Sequence, residues 1–149
     1  MQNILVATDF SEGARHGLVK AAELAKELGA KVTVCHVLDP SPFAALAIRG
    51  AAAEQLQQEQ DLEKALHKAL LEVVEEHFSD LLSAKTTLIM SSNAAQGICN
   101  YAEKEDVELI VLSTHGRTGL SHLLIGSVAE RVVRHAPCPV LTVRTPITD

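Results

Sequence analysis

Cysteine is scarce in this sequence, and the way it is used argues against two structural classes. There are three cysteines, Cys35, Cys99 and Cys138, and no two of them have the C-x-x-C spacing. An odd count without that spacing argues against a disulfide framework and against a zinc knuckle. We therefore expect reduced thiols that fill the core, as cysteine side chains often do. Cys138 lies between two prolines, so a partly exposed, oxidisable thiol is the alternative at that position.

Basic clusters and long apolar runs are also missing. The formal net charge is −6, and no long Lys/Arg cluster supplies the basic face that general nucleic-acid binding requires. No apolar run approaches the roughly 20 residues that cross a bilayer. The first three residues bring no positive charge ahead of the apolar run at 4–7, so a secretory leader is not indicated. We expect a cytoplasmic protein that binds no membrane and has no general affinity for nucleic acid.

Several signatures of small α/β enzymes are absent. The sequence has neither a G-x-x-x-x-G-K-[ST] phosphate loop nor a G-x-G-x-x-G after its first strand-like run, so it supports neither a P-loop NTPase nor a dinucleotide dehydrogenase. A receiver domain needs a phosphoacceptor aspartate after the third strand, and residues 90–92 supply none. Thr118, Ser121 and His122 form no arrangement of nucleophile and base that defines a hydrolase.

What the chain does contain is a regular alternation of strand-like and helical patterns. Apolar, β-branched runs lie at Asn3–Thr8, Lys31–Leu38, Lys85–Ser91, Val107–Ser113 and Val140–Arg144. Such alternation is typical of βαβ units and a parallel sheet. The chain has 149 residues, of which 47% are apolar, and this fits one domain over residues 1–149. We predict an α/β fold with a doubly wound, Rossmann-like, five-stranded parallel sheet in the order 3-2-1-4-5 and four main helices.

Cap residues predict where three of the helices begin. Ser11 is the expected N-cap of the first helix. Asn93 opens the third, with Gln96 three residues later in the spacing of a capping box. Ser127 opens the fourth, and Glu130 stands in the same relation to it.

Helix ends and the second helix follow from similar signals. Gly29 ends the first helix and Pro137 ends the fourth. Residues 39–50 read as a loop or a short irregular helix, and Ala51–Phe78 as a long second helix. The stripe that this helix is expected to bury consists of Leu56, Leu66, Ala69, Leu70 and Val73.

The segment between Ser113 and Ser127 carries the strongest chemical signal. Thirteen residues with three glycines separate a strand from a helix, where two to six are usual. Glycines allow a close approach of the backbone to an anion, and the first amides of the following helix point unpaired N–H groups at the same place. From Ser113 to His135 there are three arginines, three histidines and one acid, Glu130. The pattern predicts an anion site; a plain connector is the alternative.

A second signal meets the first in the predicted topology. Ligands of doubly wound sheets bind beyond the carboxyl ends of the strands, where the strand order reverses. In the order 3-2-1-4-5 that crevice lies between strands one and four. Asp9, which closes strand one, then converges with the segment that follows strand four. A simple turn residue ahead of the Ser11 cap is the alternative role for Asp9.

The same residues carry a resemblance to a known family. The run from His115-Gly116, through nine residues, to Gly126-Ser127, and the ending APCPVL at 136–141, closely resemble the universal stress protein (UspA-like) family, in its nucleotide-binding branch. ILVATDFS at 4–11 and His36-Val37 are similar to the family's first strand and to the end of its second. The resemblance covers essentially the whole chain. In one place the chain departs from the family pattern, because Ser113 stands where the first glycine of that pattern does.

The resemblance implies a cytoplasmic regulatory protein that binds ATP or another adenine nucleotide, with at most slow hydrolysis or self-phosphorylation. It implies adenine near Ala7, Asp9 and the backbone of Val37, ribose against Leu112 and Ser113, and phosphates on Gly116, Gly126, Ser127 and Val128. The full set expected at the nucleotide is Ala7, Thr8, Asp9, Val37, Leu112, Ser113, His115, Gly116, Arg117, Gly126, Ser127 and Val128. No cluster of metal ligands is expected, although Asp9 is a candidate neighbour of Mg²⁺ or Mn²⁺ carried by the nucleotide. Arg117 is a candidate for a charge-assisted hydrogen bond to a phosphate, and an exposed, solvated arginine is the alternative.

Other roles stay open at this point. One alternative is a nucleotide-free homodimeric interaction protein, as in the branch of the family that lacks the glycine motif, and a less favoured one is a small-molecule adenine-nucleotide hydrolase. Both the ATP-binding and the nucleotide-free reading predict a homodimer through the last strand, Pro139–Arg144, which would lie at a sheet edge with few charges to block pairing. A regulatory protein partner is left unidentified.

Overall fold

A five-stranded parallel sheet in the order β3-β2-β1-β4-β5 forms the centre of the protein. The structure is a computed structural model that describes residues 1–115 and 125–146. The strands are β1 (Asn3–Ala7), β2 (Lys31–Leu38), β3 (Ala84–Met90), β4 (Leu109–Ser113) and β5 (Val140–Val143). The helices within the described ranges are α1 (Glu12–Leu28), α2 (Ser41–Ile48), α3 (Ala52–Phe78), α4 (Ala94–Lys104) and α5 (Ser127–His135). The predicted α/β class, parallel sheet and strand order are confirmed.

The sheet reverses its strand order beside β1. Val6 of β1 pairs with Val34 of β2 on one side and with Val111 of β4 on the other. The chain builds outward from β1 to β3 and then returns to β4, so the switch point lies between the carboxyl ends of β1 and β4.

Helices cover both faces of the sheet because the strand residues alternate between two apolar clusters. Ile4 and Val6 pack with the buried residues of α1 and α3, whereas Leu5 packs with those of α4 and α5. All three side chains are 0–1% exposed. A strand buried on both faces in this way is typical of a doubly wound sheet.

Two of the predicted helix starts are confirmed by their cap hydrogen bonds. The Ser11 hydroxyl accepts from the backbone N–H of Ala14 at 3.2 Å, at the start of α1. The Asn93 side chain accepts from the backbone N–H of Gln96 at 3.0 Å, at the start of α4. Gly29 ends α1 with φ of 63°, a left-handed conformation that glycine adopts without strain.

The strand β4 begins two residues later than predicted, at Leu109 rather than at Val107. The N–H of Val107 donates to the carbonyl of Ala102 at 2.9 Å, and Asp106 has φ of 50°. This is the six-to-one hydrogen bond of a Schellman turn, which here closes α4. The turn takes the N–H of Val107, so the strand ladder starts after it.

The second predicted helix differs from the structure in two ways. Residues 41–48 form a short helix of their own, α2, so the described residues hold five helices instead of four main ones. In α3, Leu70 is buried and Leu66, Ala69 and Val73 are half-buried, but Leu56 is 56% exposed, so its place in the buried stripe was wrong. A helix of 27 residues is about 40 Å long, whereas the seven residues of β3 span about 23 Å. The N-terminal part of α3 therefore extends past the sheet and packs on α2.

The beginning of β1 is fastened by the acidic side chain of the residue that precedes β4. The Glu108 carboxylate accepts hydrogen bonds from the backbone N–H of Gln2 and, at 3.1 Å, from that of Asn3. These backbone hydrogen bonds lower the pKa of Glu108. Across the described ranges, no helix has the length and apolar character that crossing a membrane requires.

Candidate functional site

The turn between β1 and α1 is held by a chain of short-range hydrogen bonds. Thr8 is buried, and its hydroxyl accepts from the backbone N–H of Phe10 at 3.0 Å. The Asp9 carboxylate accepts from both the backbone N–H of Ser11 at 3.0 Å and the Ser11 hydroxyl. Ser11 in turn caps α1. Asp9 is therefore a turn residue that braces the start of α1, and its carboxylate is fixed at the carboxyl end of β1.

Phe10 and His36 support this turn from the side of β2. Phe10 has φ of 64°, which costs a non-glycine residue about 1–2 kcal/mol. Its ring packs on the His36 imidazole with 4.7 Å between ring centroids. Nδ1 of His36 lies 2.8 Å from the carbonyl oxygen of Thr8. Because a carbonyl only accepts, Nδ1 carries the proton, and the imidazole holds the strained turn through that bond.

The exit of β4 is fixed to both β5 and α5. The backbone N–H of Thr114 donates to the carbonyl of Val143 at 2.9 Å. The carbonyl of Thr114 accepts from the backbone N–H of Gly126 at 2.5 Å. Thr114 is 6% exposed, and its hydroxyl lies 3.0 Å from Nδ1 of His115. These bonds place the start of α5 directly beside the end of β4.

The N-cap of α5 is Gly126, so the predicted capping box between Ser127 and Glu130 is wrong. Gly126 has φ of −73° and ψ of 160°, and as a glycine it brings no side chain of its own to cap the helix. A Cβ atom added at Gly126 would lie 2.9 Å from the Thr114 carbonyl oxygen, so the close approach to β4 favours glycine at the cap. Ser127 becomes the first helical residue, and the Glu130 carboxylate pairs with Arg134 at 2.6 Å.

A cavity of about 300 Å³ opens at the switch point between these segments. It is lined by predicted site residues from four parts of the chain: Ala7, Thr8, Asp9, Val37, Leu112, Ser113, His115, Gly126, Ser127 and Val128. Gly116 and Arg117, the other two predicted residues, lie outside the described residues. Residues that are more than 100 positions apart in the sequence thus share one cleft.

Six further lining residues were not predicted. They are Ala14, His36, Ala94, Ile98, Thr114 and Ala129. Ala94 is the first residue of α4, directly after the Asn93 cap, so the predicted cap was a usable signal for it. The imidazole of His36 precedes the predicted Val37, but only the tertiary contact with Thr8 shows its role.

The lining of the cleft combines an apolar wall with a polar rim. Ile98, Leu112 and Ala129 are 2–4% exposed and belong to the cluster between the sheet and α4/α5. The rim carries the Asp9 carboxylate and the N-terminus of α5 at Ser127. Such a cleft accommodates a small molecule that has a flat apolar part and a charged part.

Ser113 lines the cleft, and its side chain contacts α1. Its hydroxyl oxygen accepts from the backbone N–H of Gly17 at 3.0 Å. Ser113 is not among the described non-glycine residues with positive φ, which are Phe10 and Asp106. The serine at this position therefore carries no left-handed backbone strain.

The cysteines do not contribute a reactive group to the cleft. Burial raises the pKa of the Cys35 thiol to about 12. Burial is also the main cause that raises the pKa of Cys99 and of Cys138, and Cys138 is half-buried. Within residues 1–115 and 125–146, no group of three or more His, Cys, Asp and Glu side chains is placed to hold a metal ion.

The sequence matches the profile of the Universal stress protein family over residues 1–144. A universal stress protein of Methanocaldococcus jannaschii is 36% identical over 148 residues, which cover 97% of this chain and 83% of that protein. A putative universal stress protein of Staphylococcus haemolyticus is 31% identical over 144 residues, which cover 97% of this chain and 85% of the relative. The chain belongs to the universal stress protein family, and the resemblance seen in its sequence is confirmed.

Solved structures share the fold. A protein described as hypothetical, whose biochemical function was assigned from its structure, aligns with a TM-score of 0.84 at 24% identity over 99% of this chain and 98% of its own. A universal stress protein in complex with cAMP aligns with a TM-score of 0.69 at 19% identity, over 97% and 98% of the two chains. One from Archaeoglobus fulgidus in complex with dAMP aligns with a TM-score of 0.63 at 23% identity, over 96% and 98%. At these identities the likeness shows the fold alone.

Proposed function

We propose that this universal stress protein binds an adenine nucleotide, ATP first among them, in the cleft between β1 and β4. In this proposal the protein acts in the cytoplasm as a regulatory stress-response protein, and any hydrolysis or self-phosphorylation is slow. The base lies against the apolar wall near Ala7 and the backbone of Val37, and the ribose lies against Leu112 and Ser113. The phosphates lie at the start of α5.

The observation that carries the proposal is the glycine cap of α5. The first N–H groups of an α-helix have no partner within the helix. At α5 no cap side chain takes one of them, and Ser127 and Val128 both line the cleft. A helix N-terminus attracts a negative charge through these N–H groups and through the helix dipole. The apolar wall formed by Ile98 and Leu112 supplies the complementary surface for a base.

Asp9 is the carboxylate that would accompany a nucleotide-bound divalent cation. It lines the cleft, and its carboxylate is oriented by the hydrogen bonds from Ser11. Oxygen ligands of this kind suit Mg²⁺, which is usually held by one or two carboxylates together with the phosphates of the ligand. The residues therefore fit Mg²⁺ or Mn²⁺ brought by ATP, and the cation would neutralise part of the phosphate charge.

Thermal unfolding in the presence of nucleotides tests the proposal. A ligand at 100 times its Kd stabilises the native state by about 2.7 kcal/mol, which for a domain of this size raises the Tm by about 5–11 °C. We expect this shift with ATP and Mg²⁺, and we expect AMP and cAMP to bind as well. GTP serves as the comparison for base selectivity. A Tm that none of these nucleotides moves would contradict adenine-nucleotide binding.

A matched pair of aspartates locates the site. Asp9→Asn keeps an oxygen acceptor for Ser11 but removes the charge, and we expect it to weaken Mg²⁺–ATP binding about tenfold, since charge-assisted contacts contribute roughly 1.5–3 kcal/mol. Asp39 holds a similar turn, because its carboxylate accepts from the backbone N–H of Ser41 at 2.9 Å, and it is not a cleft residue. Asp39→Asn should leave the affinity unchanged.

We also propose a homodimer that pairs through β5, within Pro139–Arg144. β5 is a sheet edge, and its four residues, none of them charged, are all half-buried. The carbonyls of Pro139 and Val143 accept from Ile110 of β4 and from Thr114 just after it. The N–H and C=O of Thr142, which alternate with these positions, therefore point away from β4. An edge strand of this kind is a template for pairing with a second chain.

Sedimentation velocity tests the dimer. We expect a dimer at micromolar concentration, and a shift toward monomer in Thr142→Pro, which removes the outward N–H and leaves the bonds to β4 in place. A monomeric wild type would contradict the pairing. A dimer that binds no nucleotide would support the nucleotide-free interaction protein instead. Rapid ATP turnover that is lost in Asp9→Ala would support the adenine-nucleotide hydrolase.

A further inference from the structure

Helix α1 approaches the exit of β4 more closely than side chains would permit. A Cβ atom added at Gly13 would lie 2.6 Å from the carbonyl oxygen of His115. One added at Gly17, one helical turn later, would lie 2.9 Å from the Ser113 hydroxyl oxygen and 3.2 Å from the Ser113 backbone nitrogen. The two glycines thus form a groove on α1 that receives residues 113–115.

A hydrogen bond joins the two surfaces within this groove. The Ser113 hydroxyl oxygen accepts from the backbone N–H of Gly17 at 3.0 Å, across 96 positions of the sequence. Helix packing alone does not fix how far one element slides along another, but a hydrogen bond to one particular residue does. Ser113 therefore sets the register of α1 against the end of β4.

The two walls of the cleft depend on this register. The cap that starts α1 is Ser11, which is bonded to the Asp9 carboxylate on the β1 side of the cleft. Residues 113–115, which pack in the groove on α1, are joined to the other side of the cleft, because the Thr114 carbonyl accepts from the N–H of Gly126 at the start of α5. A shift of α1 along β4 would change the distance between Asp9 and the α5 cap.

We propose that Ser113 is a positioning residue for nucleotide binding: through Gly17 it sets the separation between the Asp9 side and the α5 side of the cleft. Its hydroxyl acts on α1 and not on the ligand. This inference rests on the proposed adenine-nucleotide function, and it deepens that function by identifying what fixes the geometry of the site.

The test combines three variants with one control, each titrated with Mg²⁺–ATP and each unfolded with urea. Ser113→Ala removes the hydroxyl alone, and we expect it to weaken ATP binding about fivefold. Gly17→Ala introduces the clash with the hydroxyl, and we expect a loss of about tenfold or more. The double variant Gly17→Ala/Ser113→Gly removes the clashing oxygen and should therefore recover part of that affinity. The recovery should be incomplete, because the hydroxyl is absent and the 3.2 Å contact with the backbone nitrogen of residue 113 remains.

The control separates positioning from loss of stability. Ala21 is fully buried on the same helix and does not line the cleft. Ala21→Gly should destabilise α1 and leave ATP affinity within about twofold of the wild type. Two outcomes would overturn the inference while the nucleotide function stands. In one, Ser113→Ala loses no more ATP affinity than Ala21→Gly does. In the other, the double variant binds ATP as weakly as Gly17→Ala. A wild type that binds no ATP, AMP or cAMP would instead overturn the proposed function, and the inference with it.

Discussion

Replacement of Gly126 by alanine separates the role of the α5 cap from the stability of the fold. The backbone at Gly126 has φ of −73° and ψ of 160°, a conformation that alanine also adopts, so no conformational strain is expected. The added Cβ, however, would meet the Thr114 carbonyl oxygen at 2.9 Å. The cap must then move away from β4, and the hydrogen bond from the Gly126 N–H to that carbonyl is lengthened.

The cost can be worked out from these contacts. A weakened backbone hydrogen bond is worth about 0.5–1.5 kcal/mol, and alanine is a poorer N-cap than glycine by a few tenths of a kcal/mol or more. Gly126→Ala should therefore lose about 1–2 kcal/mol, or about 2–8 °C in Tm for a domain of this size. Because the same shift displaces the N–H groups at the start of α5, ATP affinity should fall about tenfold or more.

Gly50→Ala is the matched control. Gly50 has φ of 84°, and no atom of the described residues lies within 4 Å of an added Cβ, so alanine there costs about 1–2 kcal/mol of backbone strain away from the cleft. Urea unfolding should find the two variants similarly destabilised, whereas titration calorimetry with Mg²⁺–ATP should find only Gly126→Ala weakened. Equal ATP affinity in the two variants would refute the assignment of the phosphates to the α5 cap.

Three further predictions concern stability and reactivity. The hydrogen bonds to Glu108 lower its pKa, so they stabilise the protein above the unfolded pKa of about 4.3. This stabilisation is lost as the pH falls through the lower folded pKa. When the free energy of unfolding in urea is plotted against pH, Glu108→Gln should therefore flatten the acid side of the curve. Phe78 is 1% exposed, so Phe78→Ala should lower the free energy of unfolding by about 3–5 kcal/mol. Leu71 is 60% exposed on the same helix, so Leu71→Ala, the control, should change it by about 0.5 kcal/mol or less. Because burial raises the pKa of Cys35 to about 12, a disulfide reagent at pH 8 should label the half-buried Cys138 first; labelling of Cys35 in the native protein at a comparable rate would contradict its burial.

Local chemistry in the sequence was sufficient for most of the architecture. The caps at Ser11 and Asn93 and the glycine end of α1 are decided by side chains within a few residues, so they follow from the sequence alone. The alternation of strands and helices indicates a parallel sheet, and with the predicted order 3-2-1-4-5 Asp9 and the glycine segment meet at one edge of it. These features place the cleft between β1 and β4.

What could not be predicted depends on contacts far apart in the chain. Gly126 and Ser127 are both acceptable N-caps, and the choice is made by the Thr114 carbonyl, twelve residues earlier, which the sequence does not place. The periodicity of α3 indicates a buried stripe, but it does not show that the helix outruns the sheet, which leaves Leu56 exposed. His36 enters the site through a bond to the Thr8 carbonyl, a backbone atom in the turn after β1.

The most direct test of the central claim is isothermal titration calorimetry of the purified wild-type protein with Mg²⁺–ATP. The account predicts saturable heat with one nucleotide per chain, competed by AMP and cAMP. No heat of binding from a protein that is folded by circular dichroism would contradict the claim that the cleft between β1 and β4 is an adenine-nucleotide site.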